Sequence, residues 1–312
     1  MDVSIIYVNW NSEDFIKESI ESVCEHTRGL ECEIIVVDNA SPRGNVDILK
    51  QHFPQITLIK SAKNLGFAGA NNVGFQNSSG EYILFLNPDT KLVNPAINMM
   101  LRRLRELPDA GIMGCKLLDA DLAVRTDSIQ TFPTILNQVL DANVLRDRWP
   151  HNPLWGIGPL YSESVEPVQV EVISGACLMI KRAAFEKVLM FSEEYFMYAE
   201  DLDLCYKVAH AGYKNYYAGE GRVIHYGGKS SEPESATRMK WRAIPRFCDK
   251  NRGRIYGLAF RAVLAMTAMF RLAAIKVACA FGDKFGQPAE LRHSFRKWRI
   301  ILNVLLTPSI PN

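Results

Sequence analysis

At 312 residues and 48% apolar content, the chain can bury a full core as one large domain with an appendage. Seven cysteines (Cys24, Cys32, Cys115, Cys177, Cys205, Cys248 and Cys279) without Cys-x-x-Cys spacing argue for a reducing cytosol and against a disulfide framework or zinc site; no run approaches roughly 18 uncharged apolar residues, so no transmembrane helix is expected. The net charge of +2 conceals a polarity: residues 238–312 carry 15 Lys and Arg against 3 Asp and Glu, a balance of +12, while the preceding residues balance to −10.

The chain enters a strand at once, with nothing resembling a signal peptide. Val3–Val8 is a continuous apolar run of the kind found in parallel strands covered on both faces. Asn11 and Ser12 offer an N-cap, Glu13 and Asp14 suit a first turn, and Phe15, Ile16, Ser19, Ile20 and Val23 form the apolar stripe of a helix. Strands follow at Glu33–Val37, Ile56–Lys60 and Tyr82–Leu86, and "NLGFAGANNVGF" (Asn64–Phe75) lies between the last two as a glycine-containing loop and helix. This alternation predicts a parallel α/β sheet whose ligands collect at the carboxyl ends of the strands, where Val8, Trp10, Asp38 and Asp89 fall.

Pro95 suits the first turn of a helix running to about Leu107, and Ile112–Lys116 reads as another strand. Residues 119–168, rich in Pro, Asp and Trp, show no periodicity and read as substrate-side loops. Val170–Lys181 is strand-like but broken at Gly175, the mark of a close approach by ligand or backbone. Glu200–Gly212 reads as a helix with three acids in its first turn, and Arg222–His225 as a short strand. Beyond Arg238 the composition changes. Ile255–Phe281 is apolar but broken by Arg261, Arg271 and Lys276, which with Arg254 fall within roughly a 140° arc of a helical wheel, a basic stripe suited to lying on a membrane interface. Leu291–Leu306 is a second basic amphipathic piece. The competing reading packs both helices on the body or on a second subunit. Nucleic acid and the cytoplasmic membrane leaflet both qualify as anionic partners for the basic segment.

Three acidic features carry candidate chemistry. Asp89 ends a buried strand after Asn87-Pro88, as a divalent-cation ligand or as a turn residue. Glu200, Asp201 and Asp203 are catalytic acids or complements to a helix dipole. His225 is a metal ligand or a satisfied core histidine.

The segments "VSIIYVNWN", "IIVVDNAS", "NLGFAGANNVGF", "YILFLNPDT" and "FMYAEDLDLCYKVAHAGY" occur in the order seen in family 2 glycosyltransferases of the GT-A fold, and this chain resembles their bacterial rhamnosyltransferase-like members over roughly residues 3 to 230. The resemblance implies inverting transfer of a sugar from a nucleotide diphosphate, with Mg²⁺ or Mn²⁺ as cofactor. It matches Val8, Trp10 and Asp38 to the base and ribose pocket, Asn64 and Gly66 to its flanking loop, and Asn87-Pro88-Asp89 to the family's Asp-x-Asp, with Asp89 binding metal. Asp201 matches the general base, preceded by Glu200, and His225 matches a histidine completing the metal or diphosphate site. Glu200, Asp203 and Gly175 are expected as acceptor-side or supporting residues. Two departures stand out: Asn87 replaces the first acid, and Met190-Phe191-Ser192-Glu193 replaces the Gly-Phe-Asp-Glu of many relatives.

A dehydrogenase is disfavoured because Asn-Trp-Asn, not a Gly-x-Gly-x-x-Gly loop, follows the first strand. A nucleotidyltransferase would want an early glycine-rich, basic phosphate loop. A non-catalytic nucleotide-sugar-binding protein remains the rival outside enzymes. The expectation is a GT-A domain over residues 1–237 (nucleotide half 1–95, acceptor half 96–237) and a basic helical region over 238–312. It would transfer L-rhamnose from its dTDP donor, or a UDP-linked hexose, to a lipid-linked or envelope glycan at the cytoplasmic membrane face. A polyprenyl-phosphate sugar synthase is the nearer alternative, a homo-oligomer is possible, and nucleic acid is not expected as a partner.

Overall fold

The computed structural model describes residues 1–140, 149–150, 152, 155–162, 164–227, 233–280 and 288–307. In chain order its elements are β1 (Val3–Asn9), α1 (Glu13–His26), β2 (Cys32–Asp38), α2 (Asp47–His52), β3 (Thr57–Lys60), α3 (Gly66–Gln76), β4 (Tyr82–Leu86), β5 (Thr90–Leu92), α4 (Ala96–Glu106), β6 (Ala110–Leu118) and β7 (Ile129–Gln130). There follow α5 (Ile135–Val139), β8 (Val168–Val170), β9 (Val172–Ile173), β10 (Cys177–Lys181), α6 (Arg182–Lys187), α7 (Glu200–His210), β11 (Lys214–His225), α8 (Pro233–Arg252), α9 (Arg254–Ala280) and α10 (Pro288–Leu306). Two units separate: one of Met1–Phe132, Trp149–Phe196 and Glu200–Ser230, the other of Pro133–Arg148, Met197–Ala199 and Ser231–Asn312.

The first unit is built on a sheet ordered β3-β2-β1-β4-β10-β6-β11-β5, with β8 beside β11. Neighbours β3, β2, β1 and β4 run parallel, as do β6 and β11. The central strands read as apolar runs because both faces are covered; all five residues of β4 are buried. The sheet is mixed and mostly parallel, as expected, with two reversed strands. β10 runs antiparallel between β4 and β6, and β5 antiparallel to β11. Hydrophobic pattern fixes which residues face the core but is blind to strand direction, so the sequence carried no sign of the reversals. The expected strand at Arg222–His225 is the end of a longer one, and the interruption at Gly175 separates β9 from β10.

Ser12 takes the N-cap position of α1, but its hydroxyl bonds the Trp10 carbonyl at 3.1 Å and makes no cap hydrogen bond. The expected stripe of α1 is buried at Ile16, Ser19, Ile20 and Val23. An aromatic cluster of Phe75, Phe85, Phe185 and Phe191, with centroids 4.8–5.4 Å apart, joins α3, β4, α6 and the segment before α7. All seven cysteines are free thiols.

The second unit packs α8, α9 and α10 around Trp241, Phe247, Phe260, Leu264, Trp298 and Ile301. Thr134 and Asn137 close a capping box at α5, and the Ile135 amide donates to the Tyr256 hydroxyl at 3.1 Å. Two expectations are qualified here. The basic stripe of α9 is displayed only in part: Arg254 and Lys276 are exposed, but Arg261 pairs with Asp249, and Arg271 lies 4.5 Å over the Trp298 ring and donates to the Val139 carbonyl at 2.9 Å. Second, Arg254–Cys279 is long and apolar enough to cross a bilayer by length and composition, with a mean hydropathy of 1.7. The sequence rule rejected it because its arginines interrupt every uncharged run, although they are widely enough spaced to leave the segment apolar on average.

Candidate active site

Chain direction gathers the candidates at one edge of the first unit's sheet. The carboxyl ends of β1, β2, β4 and β11 lie there, since all four run the same way. The antiparallel strands β5 and β10 begin where those end, which brings in Asp89 and Gly175. Ligand sites of open α/β sheets form at such an edge.

On the β1–β2 side, Asp38 is buried and its Oδ1 accepts from Asn9 Nδ2 (2.9 Å) and Ser41 Oγ (2.6 Å). Val8 is half-buried next to Asn9, and Trp10 is 41% exposed in the loop that follows. Asn39 ties the neighbouring loop down. Its Nδ2 donates to Asn64 Oδ1 (3.0 Å) and the Gly66 carbonyl (3.1 Å), and its Oδ1 accepts from the Leu65 amide (2.7 Å). Gly66 has φ +72°, and the next amide, Phe67, donates to the Phe196 carbonyl at 2.8 Å. Asp38, Asn64 and Gly66 therefore form one braced cluster. Asn9 and Asn39 are its hinges; sequence reading passed over both, although Asn39 follows Asp38 directly.

A second cluster joins the ends of β4, β5 and β11. Register places His225 opposite Thr90, and the Tyr226 amide donates to the Asp89 carbonyl at 3.0 Å. The side chains then meet, His225 Nε2 lying 3.4 Å from Asp89 Oδ1, both nearly buried. Burial works to raise the Asp89 carboxyl, but the His225 imidazole and the Asp89 and Gly227 amides outweigh it and hold it below the ordinary carboxylate value. Arg125 and Asp127 complete the cluster and were missed, lying in the stretch read as irregular loops. Arg125 forks onto Asp127 at 2.9 and 2.6 Å and donates to the His225 carbonyl at 3.1 Å. Packing acts to raise the Asp127 carboxyl; the Arg125 guanidinium, helped by His225, overrides it and lowers it.

The third cluster surrounds α7. Tyr198 and Ala199 both have positive φ (70° and 65°), a sparsely populated backbone for such residues, and deliver the chain into Glu200. Asp201 Oδ2 accepts from the Gly175 amide at 3.1 Å and Oδ1 from the Leu202 amide at 2.8 Å, so the close approach expected at Gly175 is made by Asp201. Glu200 is buried and its Oε2 has no hydrogen-bond partner among the described residues. Burial first, and then the Asp201 charge, push its carboxyl well above the usual carboxylate range. Asp203 is fully buried and serves the scaffold: Ser192 donates to it at 2.6 Å, and Lys207 approaches to 3.9 Å. Asn72 clasps the same segment through the Phe191 backbone and Glu193 Oε1. The Met190-Phe191-Ser192-Glu193 departure is thus built into the support of α7.

Among the described residues, no three His, Cys, Asp or Glu side chains converge as a ready metal cage. Asp89 and His225 still fit a hard divalent ion whose other ligands come from phosphate and water. The buried His225 Nδ1 and Asn87 Oδ1 lack hydrogen-bond partners among the described residues, leaving polar capacity at the place where such an ion and its diphosphate would sit.

This architecture is the α/β GT-A fold of nucleotide-sugar transferases. The family model for glycosyl transferase family 2 matches residues 4–189, and the chain belongs to that family. It is 30% identical to an N-acetylglucosaminyl-diphospho-decaprenol L-rhamnosyltransferase of Mycobacterium tuberculosis over 219 residues, 66% of this chain and 70% of the relative. It is 26% identical to rhamnosyltransferase WbbL of Escherichia coli over 254 residues, covering 77% of this chain and 89% of the relative. A mannosyltransferase from Pyrobaculum calidifontis, solved in complex with GDP-Man and Mn²⁺, superposes with a TM-score of 0.62 over 97% of this chain and 84% of its own, at 17% identity, which shows the shared fold.

Proposed function

We propose that this glycosyltransferase moves L-rhamnose from dTDP-L-rhamnose, with inversion, to a hydroxyl of a lipid-diphosphate-linked glycan. The observation that carries the reading is the arrangement at the sheet edge: Asp89, just before β5, and His225, at the end of its partner strand β11, meet at 3.4 Å, while Asp201 lies on α7 with both oxygens oriented by amides. The rhamnose donor and the lipid-linked acceptor are supported by the names of the two relatives.

A sugar hydroxyl is a weak nucleophile, so a carboxylate within hydrogen-bond reach must take its proton during attack. Asp201 does this; the Gly175 and Leu202 amides each donate to one of its oxygens and so orient the carboxylate. Val8, Trp10, Asp38, Asn64 and Gly66 receive the base and ribose, and Asn87 faces the ribose or phosphate as a neutral group. Asp89 and His225 would hold the divalent cation, Mg²⁺ or Mn²⁺, which supplies Lewis-acid stabilisation to the leaving diphosphate. Arg125, braced by Asp127, fixes the end of β11 through the His225 carbonyl. Glu200, whose carboxyl burial and the Asp201 charge push above the usual carboxylate range, and Gly175 support Asp201 on the acceptor side. The transferase domain occupies residues 1–237, and the region 238–312 brings it to the cytoplasmic face of an anionic membrane.

Calorimetric titration with dTDP, UDP and GDP, each with and without Mn²⁺, tests the reading. dTDP is expected to bind most tightly and Mn²⁺ to strengthen it, with the Mn²⁺ increment lost in Asp89→Asn. Tighter binding of UDP would move the donor to a UDP-hexose, and no binding of any nucleotide would remove the reading altogether.

A further inference from the structure

Helix α9 presents an unbroken apolar face. Ile255, Leu258, Met266, Met269, Phe270 and Val277 are exposed, Ile255 to 86% and Phe270 to 75%. On a helical wheel they fall, with the exposed alanines between them, within roughly a 160° arc, and the span from Ile255 to Ala274 carries no charge on that face. At ~1.5 Å per residue the stripe is about 30 Å long. Monomeric soluble proteins rarely leave such a strip uncovered. The opposite side of α9 packs on α8 and α10 and contains the Arg261–Asp249 pair and the Arg271–Trp298 contact, so sinking the whole helix into hydrocarbon would bury an ion pair and a guanidinium. A helix apolar on one side and ionic on the other belongs in the interface plane.

Beside the stripe lies a groove of about 450 Å³ between α9 and α10. Ile275, Leu291 and Phe295 line it with apolar surface, and Lys276, Arg292, Arg296 and Arg299 surround it with four cations. Arg296 approaches Glu234 at 3.9 Å. Lys276 borders both features, standing beside the Leu258 and Met269 positions of the wheel and lining the groove. An apolar floor under a basic rim, next to a long apolar strip, is complementary to an amphiphile with an anionic head.

The geometry points to a monotopic docking surface in which the α9 stripe enters the acyl region of a bilayer while the groove takes the phosphate of an anionic phospholipid. This rests on reading the chain as a membrane-surface transferase and replaces the basic stripe expected of α9 with an apolar one. The charges that engage the membrane sit at its border.

Flotation of the full-length protein with vesicles of phosphatidylglycerol and phosphatidylcholine (about 3:7), against pure phosphatidylcholine, tests it. Basic residues near an anionic leaflet each contribute about tenfold or less after screening, so a preference of at least about tenfold for the anionic vesicles is expected, falling with salt. Arg292→Glu with Arg296→Glu and Arg299→Glu should abolish that preference, and Met266→Asp with Phe270→Asp should release the protein from both vesicle types. All five positions are exposed, so melting temperature should fall by no more than the loss of exposed pairs such as Arg296–Glu234 brings, and dTDP binding should be unchanged; dTDP binding reads the donor site separately and fails independently of docking. Equal binding to both vesicles, or none, overturns the proposal. So does conversion of a dimer to a monomer by Met266→Asp with Phe270→Asp while vesicle binding persists, which would make the stripe a contact between copies of this chain.

Discussion

Replacing Gly66 by alanine tests how the donor loop and the acidic helix are joined. Gly66 has φ +72°, a conformation that costs a residue with a Cβ about 1–2 kcal/mol. A Cβ there would also overlap the Phe196 carbonyl oxygen and come 2.9 Å from Phe196 Cδ2. A backbone carbonyl cannot rotate away as a side-chain end can, so the segment must shift and weaken the Phe67 amide's 2.8 Å bond to Phe196, a loss of about 1 kcal/mol. The total is about 3 kcal/mol, or about 6–12 °C in Tm for a domain of this size. Differential scanning fluorimetry and dTDP calorimetry on Gly66→Ala read both consequences: a lower Tm and weaker nucleotide binding. Gly212→Ala is the control, because Gly212 also has positive φ (+91°) but open space around it, so it should lose about 1 kcal/mol and leave dTDP binding intact. If the two variants melt together and bind dTDP alike, the contact with Phe196 does not brace the loop.

Asp201→Asn should lower kcat by about 10²–10⁴ with dTDP binding retained, and unchanged turnover would move the base elsewhere. Glu200→Gln should match or exceed wild-type stability at neutral pH. The folded carboxyl is raised above the ordinary glutamate value, so the folded state binds the extra proton and stability falls as pH climbs from the unfolded value through the raised one. The Tm advantage of Glu200→Gln should therefore widen as pH rises above the ordinary glutamate range; a constant difference would mean that Glu200 has an ordinary pKa. Arg125→Ala should reduce Mn²⁺-dependent dTDP affinity by about tenfold through a displaced His225, and an unaltered Mn²⁺ increment would show that His225 holds its place without Arg125.

The parts of the fold that were readable are those where periodicity and end signals agree. β1, β2 and β4 declare themselves by unbroken apolar runs, and α7 by acids in its first turn and Gly212 beyond its end. Asp89, Asp201 and His225 could be singled out because each ends or begins such an element. Arg125 and Asp127 could not, since their value comes from touching a strand end about a hundred residues later, and nothing near them in sequence reflects it. The inverted face of α9 was hidden for a related reason. A helical wheel shows that arginines share a side, but the Asp249 and Trp298 that draw Arg261 and Arg271 inward lie on other helices.

The pairing of Thr90 with His225 has a bearing on synthesis. Everything that braces Asp38, Asn64 and Gly66, apart from the Phe196 contact, leaves the ribosome early, whereas β11 is the last strand of the sheet to emerge. A nascent chain can thus shape its nucleotide loop long before Asp89 acquires its imidazole neighbour. On the proposed reading, a chain ending short of His225 would keep the loop that Asn39 braces and lack the contact at Asp89.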